Sequence, residues 1–520
     1  MKAFLMFRER DFDLAQELPP QAEDLVRDLG LVALFEAMAA GDHFLLEVAR
    51  KAVLSSLKEV DAVRYRQEIL KDCLANPAVI RAVYDLAVET VDAERKHYWG
   101  LLSRYPGSIL HRSVLVLQLC VGSLRRLRRI AEEEAEKFRS EGFRALFAML
   151  QRELAEDYLT IVESHIERLK FRRGPLISAA LGKGNAGTRH RLRRLNGDGR
   201  RWLERLLARQ PAYTFRIHER DEAGARILSE LRDRGVGLVA NATAQSADHI
   251  VSFFRMLRTE LAFYIGALNL HQRLATRGAA VCFPAASPCG ERRQRAQGLY
   301  DVGLALLGDG EIVGNDLDAD GKDLFIVTGA NQGGKSTWLR AIGLAQLTMQ
   351  CGLFAPAQSY CANLCSGLFV HYRREEDAEM RAGKFEEELQ RLSAIVDCLE
   401  ADGMVLFNES LQSTNEREGS QIGRQIVEAL IDSRIKVFFV THMYDLAGRL
   451  YDKKLGNAMF LRAERRKDGV RTFRILPGAP LSTSYGKDVF AEVFGTDATI
   501  GPAREDPDQP APRQILRVAR

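Results

Sequence analysis

The spacing of apolar residues along this chain changes twice. From Ala22 to about Tyr105 they recur every three or four positions, as at Leu31, Leu34, Phe35 and Met38 and again at Phe44, Leu45, Val48, Ala49 and Val53. That is the spacing of amphipathic helices. Asn76-Pro77 and Pro106-Gly107 punctuate the run. From His111 to Arg172 helical spacing continues without an internal proline, with Gly122 and Gly142 as the expected interruptions. The charged flank at Glu132, Glu133, Glu134, Glu136 and Lys137 predicts solvated arms or coiled packing rather than an enclosed core. Gly174-Pro175 ends that run. Helical spacing returns over Asp221–Arg234 and, more strongly, over Asp248–Leu274, where Val251, Phe254, Leu257, Leu261, Tyr264, Ile265 and Leu268 share a face. Pro284 and Pro288 mark a linker. Beyond it the pattern becomes short uninterrupted apolar runs, Leu324–Val327, Met404–Phe407 and Val437–Val440, which predict buried strands.

Composition adds bounds. A chain of 520 residues exceeds what one compact core supports, so several domains are expected. With 46% hydrophobic and 28% charged residues it is ordinary for a soluble protein, and no uninterrupted apolar run has bilayer-spanning length. No membrane association is expected. Met1–Leu14 alternates charges with Phe and lacks the basic start and apolar middle of a signal peptide, which predicts a cytoplasmic location. The eight Cys are scattered singly; Cys361 and Cys365 lack the doubled spacing of a zinc site, so buried free thiols are expected. A net charge of +4 is small for this length, so any basic surface must be local. The densest cluster is Arg189, His190, Arg191, Arg193, Arg194, Arg200 and Arg201, near Trp202, Tyr213 and Phe215. Two readings stand: a solvated basic loop, or contacts to the phosphate backbone of nucleic acid.

The chemistry concentrates between Ile326 and Thr337. An apolar strand runs into Gly329, Ala330, Asn331, Gln332, Gly333 and Gly334, and a helix with Leu339, Ile342, Leu344 and Leu347 follows. Glycines at 329, 333 and 334 let backbone N–H groups turn toward a polyphosphate, the helix N-terminus adds its positive dipole end, and Lys335 adds a point charge. Ser336 is placed to hold Mg²⁺, with Thr337 beside it. Two further strands end in Asn408-Glu409 and Thr441-His442. Glu409 suits activation of water, and His442 suits sensing a γ-phosphate or positioning the attacking water. Taken singly, Glu409 also reads as a surface acid and His442 as a structural histidine. Three strands ending in polar residues fit the rule that ligands bind at the carboxyl ends of open α/β sheets.

From about Val313 to Gly486 the chain resembles the ATPase domain of the MutS family of DNA mismatch repair proteins. The resemblance rests on Thr328–Thr337, Phe354-Ala355-Pro356-Ala357, Asn408-Glu409, Thr441-His442, Leu476-Pro477-Gly478 and Ser484-Tyr485-Gly486, with Val313-Gly314-Asn315-Asp316 ahead of the first strand. Weaker similarity reaches back to about residue 22, through Asp28-Leu29-Gly30-Leu31 and Arg64–Leu70. It implies a multidomain protein, with a mostly α-helical core and lever arms followed by an α/β P-loop (ABC-like) ATPase domain. The corresponding boundaries are a helical core at 1–110, lever helices at 111–174, a short basic clamp-like segment at 175–247 and a return lever helix at 248–275. A linker at 276–305, the ATPase domain at 306–495 and a disordered tail at 496–520 complete the order.

The resemblance further implies ATP and Mg²⁺ as cofactors, DNA as a partner (mismatched or branched duplex included), a homodimer formed through the ATPase domain, and ATP-driven movement of the arms. Asn315 and residues 329–337 would hold ATP, Ser336 and Asn408 the Mg²⁺ through water, Glu409 the attacking water and His442 the γ-phosphate side. Arg189, Arg191, Arg193, Arg194, Arg200 and Arg201 would meet DNA. Departures set further expectations. The family's metal-binding Asp is Asn408 here, so hydrolysis to ADP and phosphate is expected to be slow. Ser410–Asn415 replaces a Gly-Arg-Gly-Thr-Ser-Thr-like run, and Gly383-Lys384-Phe385 stands where the family presents Ser-Thr-Phe to its partner. The chain starts almost directly at the core, so recognition by the family's Phe-x-Glu wedge is not expected, and neither is a nuclease tail. Two rival readings are an ATP-binding scaffold with little hydrolysis and a non-DNA ABC-like ATPase; the absence of Leu-Ser-Gly-Gly-Gln argues against the second.

Overall fold

The computed structural model describes residues 1–98, 105–172, 174–193, 216–218, 220–308, 310–374, 383–466 and 469–481. Arg194, Arg200, Arg201, Trp202, Tyr213, Phe215, Ser484-Tyr485-Gly486 and the tail at 496–520 lie outside the described residues. The chain is multidomain and mostly helical, with mixed sheets.

Helices α1 (Ala22–Asp28), α2 (Leu31–Ala39), α3 (His43–Leu54), α4 (Val60–Ala75) and α5 (Pro77–Tyr98) follow the apolar spacing. Asp42 caps α3 by accepting the N–H groups of Phe44 and Leu45. Such a cap is worth about 1 kcal/mol. Next come α6 (Pro106–Glu134), α7 (Glu141–Glu153) and α8 (Glu156–Leu169). Their start and breaks differ from those expected within 111–174. The first helix starts at Pro106 and passes through Gly122 unbroken; the breaks fall near residues 135–140 and 154–155. The buried Asp72 carboxylate sets the first break by accepting the N–H groups of Arg139 and Ser140, and Phe138 then packs on Phe143 and Phe147 at 4.7 and 5.0 Å. Of the two expected readings α6 follows packing rather than a solvated arm, since Leu110, Val114, Leu117, Val121, Leu124 and Leu127 are all buried. By length and composition the helical stretch Pro106–Lys137 is apolar enough to cross a bilayer, although its apolar residues are interrupted, and half of its most apolar window is buried inside the protein.

Strands β1 (Leu176–Leu181) and β2 (Gly187–Arg193) form an antiparallel hairpin with Ile177 opposite Leu192. After it, α9 runs from Glu222 to Thr276, 55 residues and about 80 Å of helix. The expected return helix at 248–275 is therefore only its second half, and the 175–247 segment contains its first. Glycines at 235 and 237 and a run of small residues hide this continuity. Val236, Ala240, Thr243 and Ala247 form a buried stripe of small side chains, and a Cβ on Gly235 would lie 2.4 Å from Cδ1 of Ile177. The glycine is a seat for the hairpin, not a break.

Residues 276–305, read as a linker, contribute β3 (Ala285–Ser287), β4 (Gln294–Leu299) and the start of α10 (Val302–Leu307). With β5 (Asn315–Asp318) and β7 (Ser359–Asn363) these strands form a four-stranded sheet, β3-β7-β4-β5. Strand β4 buries Gln294 and Ala296 and exposes Arg295 and Gln297, so its polar composition masks a strand period.

The larger sheet is built from β6 (Leu324–Gly329), β8 (Leu368–Tyr372), β9 (Met404–Asn408), β10 (Lys436–Val440), β11 (Ala458–Arg465) and β12 (Arg471–Pro477), in the order β12-β11-β6-β10-β9-β8. All neighbours are parallel except β11 and β12. Between them lie α11 (Lys335–Gln350), α12 (Lys384–Cys398), α13 (Glu416–Asp432) and α14 (Tyr444–Asp452). Alternate residues divide between two cores. Phe325, Val327, Leu406, Phe438 and Val440 pack with α11, whereas Leu324, Ile326, Val405, Phe407, Val437 and Phe439 pack with α12–α14. Burial on both faces is why these strands read as unbroken apolar runs. Stacked rings at Phe325–Phe438 (4.1 Å) and Phe407–Phe439 (4.9 Å) add roughly 0.5–1.5 kcal/mol each.

The α11 side of the sheet shares one continuous core with the helical body. Even the polar face of α11 is enclosed: Gln350 exchanges backbone and side-chain bonds with Leu57, and its side chain also donates to the Cys365 carbonyl. The N-terminal segment is drawn into the same core. Buried Glu260 on α9 accepts the N–H groups of Leu5 (2.6 Å) and Phe12 (3.0 Å), while buried Arg66 on α4 donates to the carbonyls of Met6 and of Cys351 just after α11.

Candidate functional site

The site lies at the carboxyl ends of β6, β10, β9 and β8. The turn from β6 to α11 depends on two glycines. Gly329 has φ +114°, and a Cβ there would stand 2.9 Å from the Ala463 nitrogen; Gly334, with φ +89°, precedes the first residue of α11. Only glycine occupies both without strain. Lys335, the first residue of α11, is buried, and its Nζ donates to the carbonyls of Gly329 (3.0 Å) and Ala330 (2.8 Å). Burial pulls its pKa down to about 8, opposed by the charge of Glu409. One residue on, Ser336 donates to Oδ1 of Asn408 at 2.9 Å, which ties the loop helix to the end of β9.

Glu409 follows β9 with φ +54°, a conformation that costs a non-glycine residue of order 1 kcal/mol. It turns the carboxylate onto Nε2 of His442, 2.9 Å away beyond β10. The hydrogen bond from His442 holds Glu409 below the usual carboxylate range, against the effect of burial, with support from Lys335 and Arg373. The loop after Glu409 is anchored from beneath. Ser410 lies 2.7 Å from buried His371, whose pKa burial pushes down to about 4, and the Leu411 N–H donates to buried Glu388 on α12. Asn415 ends that loop by capping α13, and Gly383-Lys384 opens α12.

These side chains open onto a cavity of about 770 Å³ lined by Asn331–Trp338, Glu409 and His442. Asn331 Oδ1 and Gln412 Nε2, both on its wall, are buried without a hydrogen-bond partner among the described residues. Orphaned polar atoms of this kind mark a place where something polar docks. Asn315 lines the cavity too, but its amide is engaged: Oδ1 accepts the Ile475 N–H at 2.7 Å and Nδ2 donates to the Phe473 carbonyl at 3.2 Å. It positions β12 and brings Phe473 to the mouth. Arg373, Gln412 and Phe473 are cavity residues that sequence reasoning missed. Their only local signal is position just past, or within, a strand, which a single sequence does not separate from many others.

Ser336 and Asn408 offer neutral oxygen donors, of the hard type Mg²⁺ prefers. No group of three or more His, Cys, Asp or Glu side chains able to hold a metal exists among the described residues. The donor set therefore fits a metal that arrives with phosphate oxygens and keeps several waters, not one caged by the protein alone.

The basic cluster is only partly described. Strand β2 alternates, with Arg189, Arg191 and Arg193 exposed and His190 and Leu192 partly buried between them. Period two places Arg191 and Arg193 on one face, while Arg189, with φ +52°, sits where the pairing register shifts by one residue between Arg191 and Thr188. Arg193 also donates to Ser178 across the hairpin at 2.8 Å. Along α9, the hairpin seat at Gly235 and the core contact of Gly266 with Met38 are separated by about 45 Å of helix.

The class defined by these features is a helical body carrying an α/β/α domain, with a polar ligand crevice at the carboxyl ends of a parallel sheet. Residues 58–277 match the model of the MutS2 N-terminal domain, and residues 325–507 match MutS domain V. The DNA mismatch repair protein MutS of Thermus aquaticus is 32% identical over 181 residues, which cover 35% of this chain and 22% of that protein. The protein of the same name from Clostridium beijerinckii is 28% identical over 214 residues (40% and 23%). MutS protein homolog 4 of Mus musculus is 24% identical over 238 residues (43% and 24%). The matches span less than a quarter of the length of these relatives. The chain belongs to the MutS family.

Proposed function

We propose that this chain is an ATP-dependent DNA-binding protein of DNA repair or recombination, an ATPase whose nucleotide state switches the grip of its hairpin-bearing arms. The observation that carries the proposal is the buried Lys335 at the N-terminus of α11, bonded among the described residues to two loop carbonyls and lining one cavity with the Glu409–His442 pair. A buried ammonium without an anion is costly, and a polyphosphate on the loop N–H groups is the anion that removes the cost. Ser336 and Asn408 would hold Mg²⁺ through water, and the ion would supply positive charge to balance the phosphates. Glu409 stays ionised at neutral pH because His442 donates to it, so it can orient a water and take its proton as that water attacks the terminal phosphorus. The bond from that phosphorus to the bridging oxygen breaks, ADP leaves with the charge on that oxygen, and Lys335 would balance the negative charge there. Arg189, Arg191 and Arg193 meet the DNA backbone, and two copies pair through their C-terminal domains.

The test is ATP turnover by the purified protein with and without duplex, mismatched and branched DNA. Stimulation by one DNA form establishes the coupling and names the substrate; Lys335→Ala abolishes nucleotide binding, and Glu409→Ala binds ATP without turning it over. Turnover retained in Glu409→Ala would remove that residue from the mechanism. Sedimentation with and without nucleotide tests the pairing. A second reading, an ATP-binding scaffold with little hydrolysis, is favoured by the neutral Asn408 beside Ser336. It expects tight ATP binding, no turnover with any DNA, and turnover raised at least several-fold by Asn408→Asp.

A further inference from the structure

Arg373 stands one residue past the end of β8, the edge strand of the six-stranded sheet. Tyr372 pairs with Asn408, and the Arg373 N–H donates to the Asn408 carbonyl at 3.0 Å. The backbone of Arg373 is thereby fixed beside Glu409, and its side chain lines the same cavity as Lys335, Glu409, Gln412 and His442. The neighbouring cations are already engaged: Arg374 pairs with Asp24 at 2.6 Å, and Arg391 donates to the Tyr372 carbonyl. Arg373 is exposed and makes no side-chain hydrogen bond or ion pair with any described residue, although its charge is felt by Glu409. A guanidinium held at a cavity wall, its main chain pinned and its five donors open, is a ready clamp for an oxyanion.

Sheet order decides which oxyanion. Along the carboxyl edge the glycine loop after β6 is followed by Thr441-His442, then Asn408-Glu409, then Arg373. Three strand spacings separate the loop from Arg373, about 14 Å. Phosphates seated on the loop N–H groups are too far for contact. A terminal phosphate extending toward Glu409 is the part of the nucleotide that the long Arg373 side chain, reaching back over Glu409, can meet. Asn408 matters here as well, because a neutral amide beside Ser336 leaves more of the phosphate charge for cationic side chains to balance.

Resting on the nucleotide reading above, we propose that Arg373 binds the terminal phosphate of ATP from within the same chain and makes the site discriminate ATP from ADP. The full chain would be titrated with ATP and with ADP, each with Mg²⁺, comparing the wild type with Arg373→Ala and Arg373→Lys. Loss of a charge-assisted contact made only to the terminal phosphate weakens ATP binding roughly 10- to 100-fold in Arg373→Ala, with ADP binding changed less than about twofold. Arg373→Lys, which keeps the charge but not the fork, recovers part of the ATP affinity. Unchanged ADP binding also certifies the fold of each variant. Equal losses for ATP and ADP, or no loss for either, overturn the role of Arg373 while leaving the nucleotide site standing. Failure of the wild type to bind either nucleotide overturns the underlying reading instead.

Discussion

At the scale of single residues the cleft is a set of groups held at some cost. Lys335 is buried with two carbonyls and, among the described residues, no bonded anion, and burial brings its pKa to about 8 from an ordinary 10.5. The unfolded chain therefore binds more protons than the folded chain between pH 8 and 10.5, so this group makes stability rise with pH across that window; below pH 8 the cost is present in full. Its upper size is roughly 3 kcal/mol. Lys335→Met should raise the melting temperature of the nucleotide-free protein at pH 7 and flatten the rise above pH 8, while removing stabilisation by ATP. A variant that melts lower than the wild type at pH 7 would mean that the two carbonyl bonds outweigh the buried charge. Gly329, Gly333, Gly334 and Lys335 were legible from composition and order alone, because a tight turn around an anion demands those residue types. Arg373 and Phe473 were not, because an Arg or Phe near a strand end carries no local mark of facing a cavity.

At the scale of elements, the hairpin and α9 form one device. Gly235 accepts Ile177 where any Cβ would collide, so the hairpin's attachment depends on a missing side chain in the middle of a helix. Gly235→Val should loosen the hairpin, raising its protease sensitivity and weakening DNA binding, with ATP affinity unchanged. An unaltered cleavage pattern would show that Ile177 repacks at no cost. On the hairpin itself, the joint change of Arg189, Arg191 and Arg193 to Ala should lower DNA affinity and reduce the slope of log K against log salt by about 2.7, if each side chain neutralises one phosphate. An unchanged slope would leave the three arginines as a solvated face. The helical period of α9 faded between Arg234 and Asp248 because the buried stripe there is Val236, Ala240, Thr243 and Ala247, side chains too small or polar to register as a core face.

At the scale of the whole molecule, the N-terminal segment joins three parts. Its backbone is bonded on one side to Glu260 of α9 and on the other to Arg66 of α4, which also holds the carbonyl after α11. Burial raises the pKa of Glu260 to about 7, more than the backbone donors lower it. The folded state thus holds a proton that the unfolded chain has released between about pH 4.5 and 7, so stability from this group falls as pH rises through that range and is lowest above 7. Melting temperatures of the wild type should fall between pH 5 and pH 8, and Glu260→Gln should reduce that fall. An equal fall in both proteins would place the pH dependence elsewhere.

What the sequence determined by itself follows from short-range physics. Helical spacing marks α1 to α5, unbroken apolar runs mark β6, β9 and β10, and the glycine-rich turn with its lysine marks the crevice; in each, the signal sits within a dozen residues. What only the tertiary structure decided depends on partners far apart in the chain. Ile177 explains why a glycine continues α9, the pairing of β4 with β5 and β7 turns a linker into a sheet, and the bonds to Ile475 and Phe473 give Asn315, at the cavity wall, a hold on β12. A side chain's residue type is local, but the face it presents is set by whatever the fold brings against it.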